Sequence, residues 1–316
     1  MVSIKHVALR KTKKYSFQDF IKEIKRYKTI YIMLIPVALY YLIFHYGPMY
    51  GLVISFKDFS PRLGVMGSEW VGLKHFQSFF SSYYAWRVIR NTFLISVLDI
   101  ALGFPAPILL ALLLNEIHKK VFKRTIQTIT YLPHFISMVV ICGILKDFLG
   151  RDGAINDILN FLGFARDNYL QNPDLFRGIY VGSGIWQGVG YGSIIYLAAI
   201  SGIDQALYEA ATIDGAGRFK KIFHVTIPGI LPTIIILFIL RVGNTMTVGF
   251  EKIMLLYSPV TYETADVIST FVYRMGLEQM KFSYSAAIGL FNSVINFILL
   301  LAANKISKRF SETSLW

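Results

Sequence analysis

The chain has 316 residues, of which 54% are hydrophobic and 16% charged, with a formal net charge of +13 at pH 7. A soluble domain of this size is not this apolar, so the composition indicates an integral membrane protein. The positive charge does not indicate nucleic-acid binding, because the basic residues lie at the chain ends and between apolar runs, which is a topology pattern. The single cysteine, Cys142, excludes an intrachain disulfide and a cysteine-based metal centre.

The N-terminal segment, residues 1–28, carries nine Lys or Arg and two acids. This excess predicts a cytoplasmic N terminus. Apolar residues from Phe17 to Tyr27 recur at helical spacing, with basic residues on the other side. The pattern is typical of an interfacial helix on anionic headgroups, so membrane lipid is an expected partner.

Six apolar runs follow, and each is long enough to cross a membrane. They cover residues 29–56, 91–114, 126–148, 176–202, 229–250 and 284–303. The first is expected to be an additional helix, separated by an aromatic external segment at 57–90 from a five-helix core at 91–303. Basic segments at 115–124 and in the tail 304–316 predict inside positions, whereas 149–175 and 251–283 lack that excess. The sequence therefore predicts an all-α membrane protein with six spans and both termini in the cytoplasm.

The connection between the fourth and fifth spans, residues 202–233, is polar and unusually long. Long loops inside compact proteins are usually functional or disordered. An apolar stripe that ends at Ile213 predicts a short helix, which Gly215 and Gly217 break. A second short helix, with Arg218 on its basic face, is expected to end at Pro228. This predicts a helix-turn-helix at the cytoplasmic mouth of the bundle.

The same connection contains Glu-Ala-Ala from Glu209, Asp-Gly-Ala from Asp214, and an apolar pair before Pro228. Their spacing resembles the EAA loop of type I ABC importer permeases, through which a permease contacts its ATPase. The stretches GFPAPILLALLLNEI and WQGVGYGSIIYLAAISGIDQALYEAATIDGA are similar to permeases of bacterial oligosaccharide importers, including polysaccharide, aldouronate and alginate-oligosaccharide systems. One departure is Asp204, because the family commonly has a proline soon after the isoleucine that opens this helix.

The resemblance implies a MetI-like permease fold in a bacterial plasma membrane. It also implies four kinds of partner: a second, non-identical permease, two ABC ATPase subunits, a lipoprotein or periplasmic solute-binding protein, and an oligosaccharide. No catalytic residue, cofactor or metal is implied. In this family the glutamate pairs with a basic ATPase residue and the glycine turn inserts beneath it. The expected ATPase-coupling residues are Glu209, Ala210, Ala211, Asp214, Gly215, Ala216, Gly217 and Pro228.

Polar residues within the spans are the candidates for the solute pathway, because ionisable groups there are costly. Asp99 and Arg241 can form an interhelical ion pair, or Arg241 can face the pathway and meet an anionic or hydroxyl-rich solute. Aromatic rings and amides suit carbohydrate, although each such residue also fits a helix-packing role. The expected pathway residues are Trp186, Tyr191, Arg241, Asn244, Asn292 and Asn296.

Two alternatives remain at this point. An EAA loop is shared by importers of amino acids, peptides and phosphate, so the solute can differ. A membrane-embedded transferase would need clustered acids or histidines, and the sequence has no Asp-x-x-Asp motif. It also has no P-loop, so ATP hydrolysis is expected from a partner. His134 is interpreted as a packing residue and not as a metal ligand.

Overall fold

The structure, a computed structural model, describes residues 26–310 and is mostly helical (81%). The chain divides into two compact units, residues 1–53 and 54–316. Helix α1 (Lys28–Phe56) is long and apolar, and most of it belongs to the first unit. No residue in its most apolar stretch of 18 residues is buried. The interfacial helix expected within 1–28 lies outside the described residues, apart from its last turn.

The second unit begins with an antiparallel pair of two-residue strands, β1 (Lys57–Asp58) and β2 (Glu69–Trp70), with helix α2 (Gly64–Gly67) between them. The remaining helices are α3 (Lys74–Phe80), α4 (Tyr83–Asn115), α5 (Lys120–Phe135), α6 (Met138–Leu149), α7 (Ala154–Phe161), α8 (Pro173–Ser201), α9 (Gln205–Ile213), α10 (Arg218–Gly243), α11 (Phe250–Leu256), α12 (Tyr262–Ala265), α13 (Ile268–Tyr273) and α14 (Phe282–Phe310).

Four helices of the described residues are long and apolar enough to cross a membrane: α1, α4, α10 and α14. If α5 and the bent segment Met138–Phe161 after it are counted together as one span, the number becomes five. Helix α8, the fourth of the six expected spans, has 29 residues but does not reach the same apolarity. Its glycines and polar side chains lower the hydropathy, and neighbouring helices cover it.

The third expected span, 126–148, is not one straight helix. The chain bends by 102° between Phe135 and Met138. Pro133 lies in the short 3₁₀ turn that ends α5, and Ile136 then takes an extended conformation with ψ of 135°. Ser137 accepts a hydrogen bond from the amide of Val140 and so caps the new helix. Proline fixes its own φ angle and has no N–H to donate, so it disfavours a continuous helix here. Apolar composition predicts a span but carries no information about such a bend.

Three other prolines inside continuous helices follow just after a π-helical turn, whereas Pro36 of α1 and Pro232 of α10 lie inside their helices without one just before them. The turns cover Leu42–Tyr46 before Pro48, Asp99–Gly103 before Pro105, and Ile222–Thr226 before Pro228. In each turn the residue just before the proline donates its amide five residues back. The wider turn accommodates the proline ring, which would otherwise clash with the preceding turn, so the helix continues.

Several boundaries also differ from those expected. Helix α4 begins at Tyr83, so the connection predicted at 57–90 is shorter than expected. The fifth span ends at Gly243 and not at 250, which places Arg241 in the last turn and not near the middle of the helix. The sixth span continues into the tail expected at 304–316.

Helix α8 lies at the centre of the second unit, packed against α4, α5 and α10. Close approach to α5 depends on Gly190, where an added Cβ would lie 2.1 Å from the carbonyl oxygen of Thr130. Tyr196 of α8 packs with Ala111 of α4 and Ile230 of α10 in one buried cluster. A second cluster contains Cys142, a buried apolar side chain as expected.

Candidate functional site

The 202–233 loop begins with α9, whose first residue follows Asp204. The Asp204 carboxylate accepts a hydrogen bond of 2.9 Å from the amide of Ala206. Aspartate is a favoured N-cap because it satisfies an amide that has no partner in the helix. The departure from the family pattern at this position therefore keeps the helix.

The helix ends in a Schellman motif centred on Gly215. Ala216 donates its amide to the carbonyl of Ala211 at 2.8 Å, and Gly215 donates to that of Thr212 at 3.0 Å. Gly215 has φ of +73°, a left-handed conformation in which a side chain is strained. Two further hydrogen bonds join α9 to α10: Tyr208 to Thr226 at 2.9 Å, and the Lys221 ammonium to Thr212 at 2.7 Å. The loop is a braced hairpin.

Part of this hairpin is an exposed apolar surface. Ile213 is 86% and Phe219 78% exposed, and Leu207 and Phe223 are exposed as well. Glu209, Ala210, Asp214 and Gly217 are exposed, whereas Ala211 and Ala216 are half-buried. In the described part of the chain Glu209 has no ion pair. Exposed apolar residues beside an unpaired carboxylate are typical of a contact surface for another protein.

The second helix of the loop does not end at Pro228. It is the start of α10, which runs from Arg218 through the π-helical turn at Ile222–Thr226 and into the membrane span. The sequence prediction was wrong here because a proline can continue a helix when a π-turn precedes it. As a result, one rigid element leads from the hairpin to Arg241.

At the far end of α10, Arg241 forms an ion pair with Asp99, which lies in the π-helical turn of α4. The pair lines two cavities of about 430 Å³ and about 450 Å³. Asn244 and Gly184 also line both cavities. The structure thus has the interhelical ion pair and places Arg241 on the cavity walls at the same time.

The other expected pathway residues do not meet at these cavities. Trp186 and Tyr191 of α8 are half-exposed and are not among the lining residues; Tyr191 stacks on His134, with ring centroids 3.9 Å apart. Asn296 accepts a hydrogen bond of 2.8 Å from the amide of Met246, which joins α14 to the end of α10. The side-chain oxygen of Asn292 is buried without a hydrogen-bond partner.

A buried charge network lies in the segment expected to be a simple external connection. Asp266 is fully buried and accepts hydrogen bonds from Arg274 at 2.6 Å and from Arg87 at 3.2 Å. Burial lowers the pKa of the Arg274 guanidinium, but its hydrogen bond and ion pair with Asp266 raise it above the ordinary value. Sequence inspection does not find this network, because charge counts in these segments serve only to predict topology, and local composition does not distinguish a buried charge from a solvated one.

The second group that the sequence analysis missed is Lys252 of α11. This side chain is only 4% exposed and lines the 430 Å³ cavity with Tyr180 and Gln187 of α8. A buried lysine after an apolar run carries no pattern that distinguishes it from a surface lysine. Only the packing of α11 against α8 shows it.

Both the sequence and the fold of this chain are similar to those of known transport proteins. Residues 103–312 match the family described as "Binding-protein-dependent transport system inner membrane component". Protein LplB of Bacillus subtilis is 46% identical over 93% of this chain and 92% of its own. The polygalacturonan/rhamnogalacturonan transport system permease protein YteP of the same organism is 43% identical over 92% and 90%. A chain in the crystal structure of a bacterial alginate ABC transporter, solved with a periplasmic protein that binds alginate pentasaccharide, is 44% identical, with a TM-score of 0.87 over 93% of this chain and 99% of that one.

Proposed function

Since the chain belongs to the family of binding-protein-dependent transport system inner membrane components, we propose that it is the permease subunit through which an ATP-driven importer takes up oligosaccharides. It is a multi-pass membrane transport subunit and not an enzyme. Transport of polygalacturonan or rhamnogalacturonan by one relative, and of alginate by another, supports a sugar polymer or its fragments as the cargo. A permease for an amino acid, a peptide or phosphate is the alternative within transport.

The observation that carries the mechanism is the continuity between the hairpin and the ion pair. Helix α10 extends from Arg218, at the exposed hairpin, to Arg241, at the cavities. The backbone of this continuous helix connects its two ends, so a displacement of the hairpin is passed on to Arg241. In the proposal, an ATPase that moves the hairpin thereby moves Arg241 relative to Asp99, which opens the route between the two cavities.

We assign the ATPase contact to the exposed face of the 202–233 loop, which includes Glu209 and the turn at Gly215. The unpaired Glu209 carboxylate suits a basic residue of the ATPase, and the exposed Ile213 and Phe219 suit an apolar groove. This assignment requires the loop to face the cytoplasm, with both chain termini on the same side. The basic excess in residues 1–28 supports that orientation.

The remaining partners follow from the same scheme. A solute-binding protein delivers the oligosaccharide from outside, as the family description and the solved alginate complex support. A second, non-identical permease completes the pathway, and two ABC ATPase subunits supply the energy. In the pathway we assign Arg241 and Asn244 to the cavity walls, where they line both cavities. The other pathway candidates remain proposals, and they would contact the solute only in the assembled complex with the second permease: Trp186, Tyr191 and Asn292.

The test is uptake by the reconstituted complex. The chain is assembled in proteoliposomes with its second permease, ATPase and binding protein, and uptake and ATP hydrolysis are measured across a panel of oligosaccharides. In this assay Glu209→Lys reverses the charge offered to the ATPase, and Gly215→Pro disrupts the turn. Each variant is expected to lose uptake while the protein remains in the membrane, with ATP hydrolysis no longer coupled to it.

The matched control is Glu278→Lys, which reverses an exposed acid outside the loop. Uptake by this control is expected to stay at the wild-type level. Wild-type uptake by Glu209→Lys would contradict the coupling assignment. Uptake of amino acids or phosphate, and of none of the oligosaccharides, would contradict the choice of cargo alone.

A further inference from the structure

The 430 Å³ cavity has a buried cation on its wall that no carboxylate neutralises. Lys252 is 4% exposed, and none of the ion pairs of the described residues includes it. Its ammonium donates one hydrogen bond, of 2.8 Å, to the carbonyl oxygen of Tyr180, and lies 4.8 Å from the centroid of that ring. An ammonium has three N–H donors, so this contact leaves two of them without a protein partner in the described structure.

The position of Lys252 is rigidly held. Gly249, three residues earlier, donates its amide to the Tyr180 hydroxyl at 3.1 Å. Ile253 and Leu256 of the same helix are buried in the cluster that contains Phe176 of α8. A Cβ on Gly184 would lie 3.4 Å from the Lys252 ammonium, so the small residue leaves room beside it. If the lysine side chain turned out to water, it would lose its hydrogen bond and its ring contact with Tyr180.

The charges around the cavity leave the inner wall positive. Asp99 is engaged by Arg241, so it already has a cationic partner. Glu251 also lines the cavity, but its side chain is exposed and forms no ion pair with Lys252. Two cationic side chains, Arg241 and Lys252, therefore share a single carboxylate, that of Asp99, on the inner wall of the cavity. A buried charge without a counter-charge is costly, so a lysine of this kind on a cavity wall is a candidate for binding an anionic group of a solute.

We propose that Lys252 determines the preference of this cavity for acidic over neutral sugars, by binding the carboxylate of a uronate residue. The proposal rests on the proposed function and names a residue that sets its specificity. The cavity volume lies within the roughly 300–1,000 Å³ of small-molecule sites. The surrounding Tyr180, Gln187 and Asn244 offer a ring face and amides for the sugar hydroxyls. A single excess cation matches a monovalent carboxylate better than a doubly charged phosphate.

The experiment uses the full reconstituted complex and matched sugar pairs. Trimers of galacturonate, mannuronate and glucuronate are each compared with the carboxyl-reduced trimer of the same linkage. The affinity of the binding protein for each sugar is measured separately. Each uptake rate is then corrected for this affinity, so that the selectivity of the binding protein does not contribute to the comparison. The corrected uptake by the wild type is expected to favour at least one acidic trimer over its neutral counterpart by about tenfold or more, the factor for one hydrogen bond between charged groups.

Lys252→Met keeps the side-chain length and removes the charge, so the preference for the acidic trimer is expected to disappear while neutral uptake is unchanged. Lys252→Arg is expected to retain most of the preference. Lys146→Met, which removes an exposed lysine of α6, is the matched control and is expected to behave as wild type.

Three outcomes overturn the proposal. Equal corrected uptake of acidic and neutral trimers by the wild type refutes it without any variant, and leaves the transport function intact. An equal loss of both sugars in Lys252→Met means that the lysine only holds α11 against α8. Uptake of none of the sugars by the wild type refutes the oligosaccharide function together with the subsite.

Discussion

Replacing Asp266 by asparagine tests the buried charge network most directly. The side chain is 0% exposed and accepts four hydrogen bonds: two from Arg274, one from Arg87 and one from Thr270. Asparagine has the same shape, but it removes the negative charge and turns one acceptor atom into a donor. Two guanidinium groups, each only 15% exposed at the side chain, then face each other without a counter-charge.

Removal of one partner from a buried ion pair costs about 3–5 kcal/mol. An unfolding entropy of about 2.1 cal/mol/K per residue gives about 1.5 °C per kcal/mol for 316 residues, so Asp266→Asn is expected to lower the thermal unfolding midpoint by about 5 °C or more. The measurement is thermal unfolding of the purified protein in one fixed detergent or nanodisc. Asp58→Asn is the control. The Lys74 Nζ lies 3.8 Å from the Asp58 Oδ2, and both side chains are more than half exposed. Such a pair contributes about 0–1 kcal/mol. Equal midpoints for Asp266→Asn and Asp58→Asn would refute the argument that burial gives the network its stabilising effect.

Two glycine pairs provide further predictions. Gly190→Ala places a Cβ against the Thr130 backbone and is expected to destabilise the protein by about 1–3 kcal/mol, whereas Gly188→Ala, with open space around it, leaves the unfolding midpoint unchanged. Gly215→Ala forces an alanine into a left-handed conformation at a cost of about 1–2 kcal/mol, and is expected to reduce uptake. Gly217→Ala, at φ of −69° and with open space around it, is expected to leave the unfolding midpoint unchanged, whereas Gly215→Ala lowers it. Equal effects within either pair would contradict the geometry.

The helical class and the location of the exposed hairpin could be predicted from local patterns. Helix α9 begins after an aspartate and ends at a glycine, and both signals act within a few residues. The long apolar runs of α1, α4, α10 and α14 likewise follow from composition, since a span needs only length and apolarity. These features depend on neighbours in sequence, so one chain is enough to find them.

The prolines show where local patterns fail. The same residue type ends α5 near Phe135, yet it lies inside a continuous helix at Pro105 and Pro228. At Pro105 and Pro228 the helix widens by one residue before the proline, whereas at Pro133 the chain narrows to a 3₁₀ turn and then bends. No spacing rule in the sequence distinguishes the two cases.

The sequence by itself determined that this is a membrane-spanning helical protein with a braced hairpin in the chain between two helices, because apolarity, caps and turn residues act locally. Tertiary structure alone decided which charges matter. Asp266 and Lys252 lie in a segment of ordinary composition, and they are buried because α12 and α13 pack against α4, α12 also packs against α8, and α11 packs against α6. Burial is set by contacts between residues far apart in the chain, so it becomes visible only when the helices are packed.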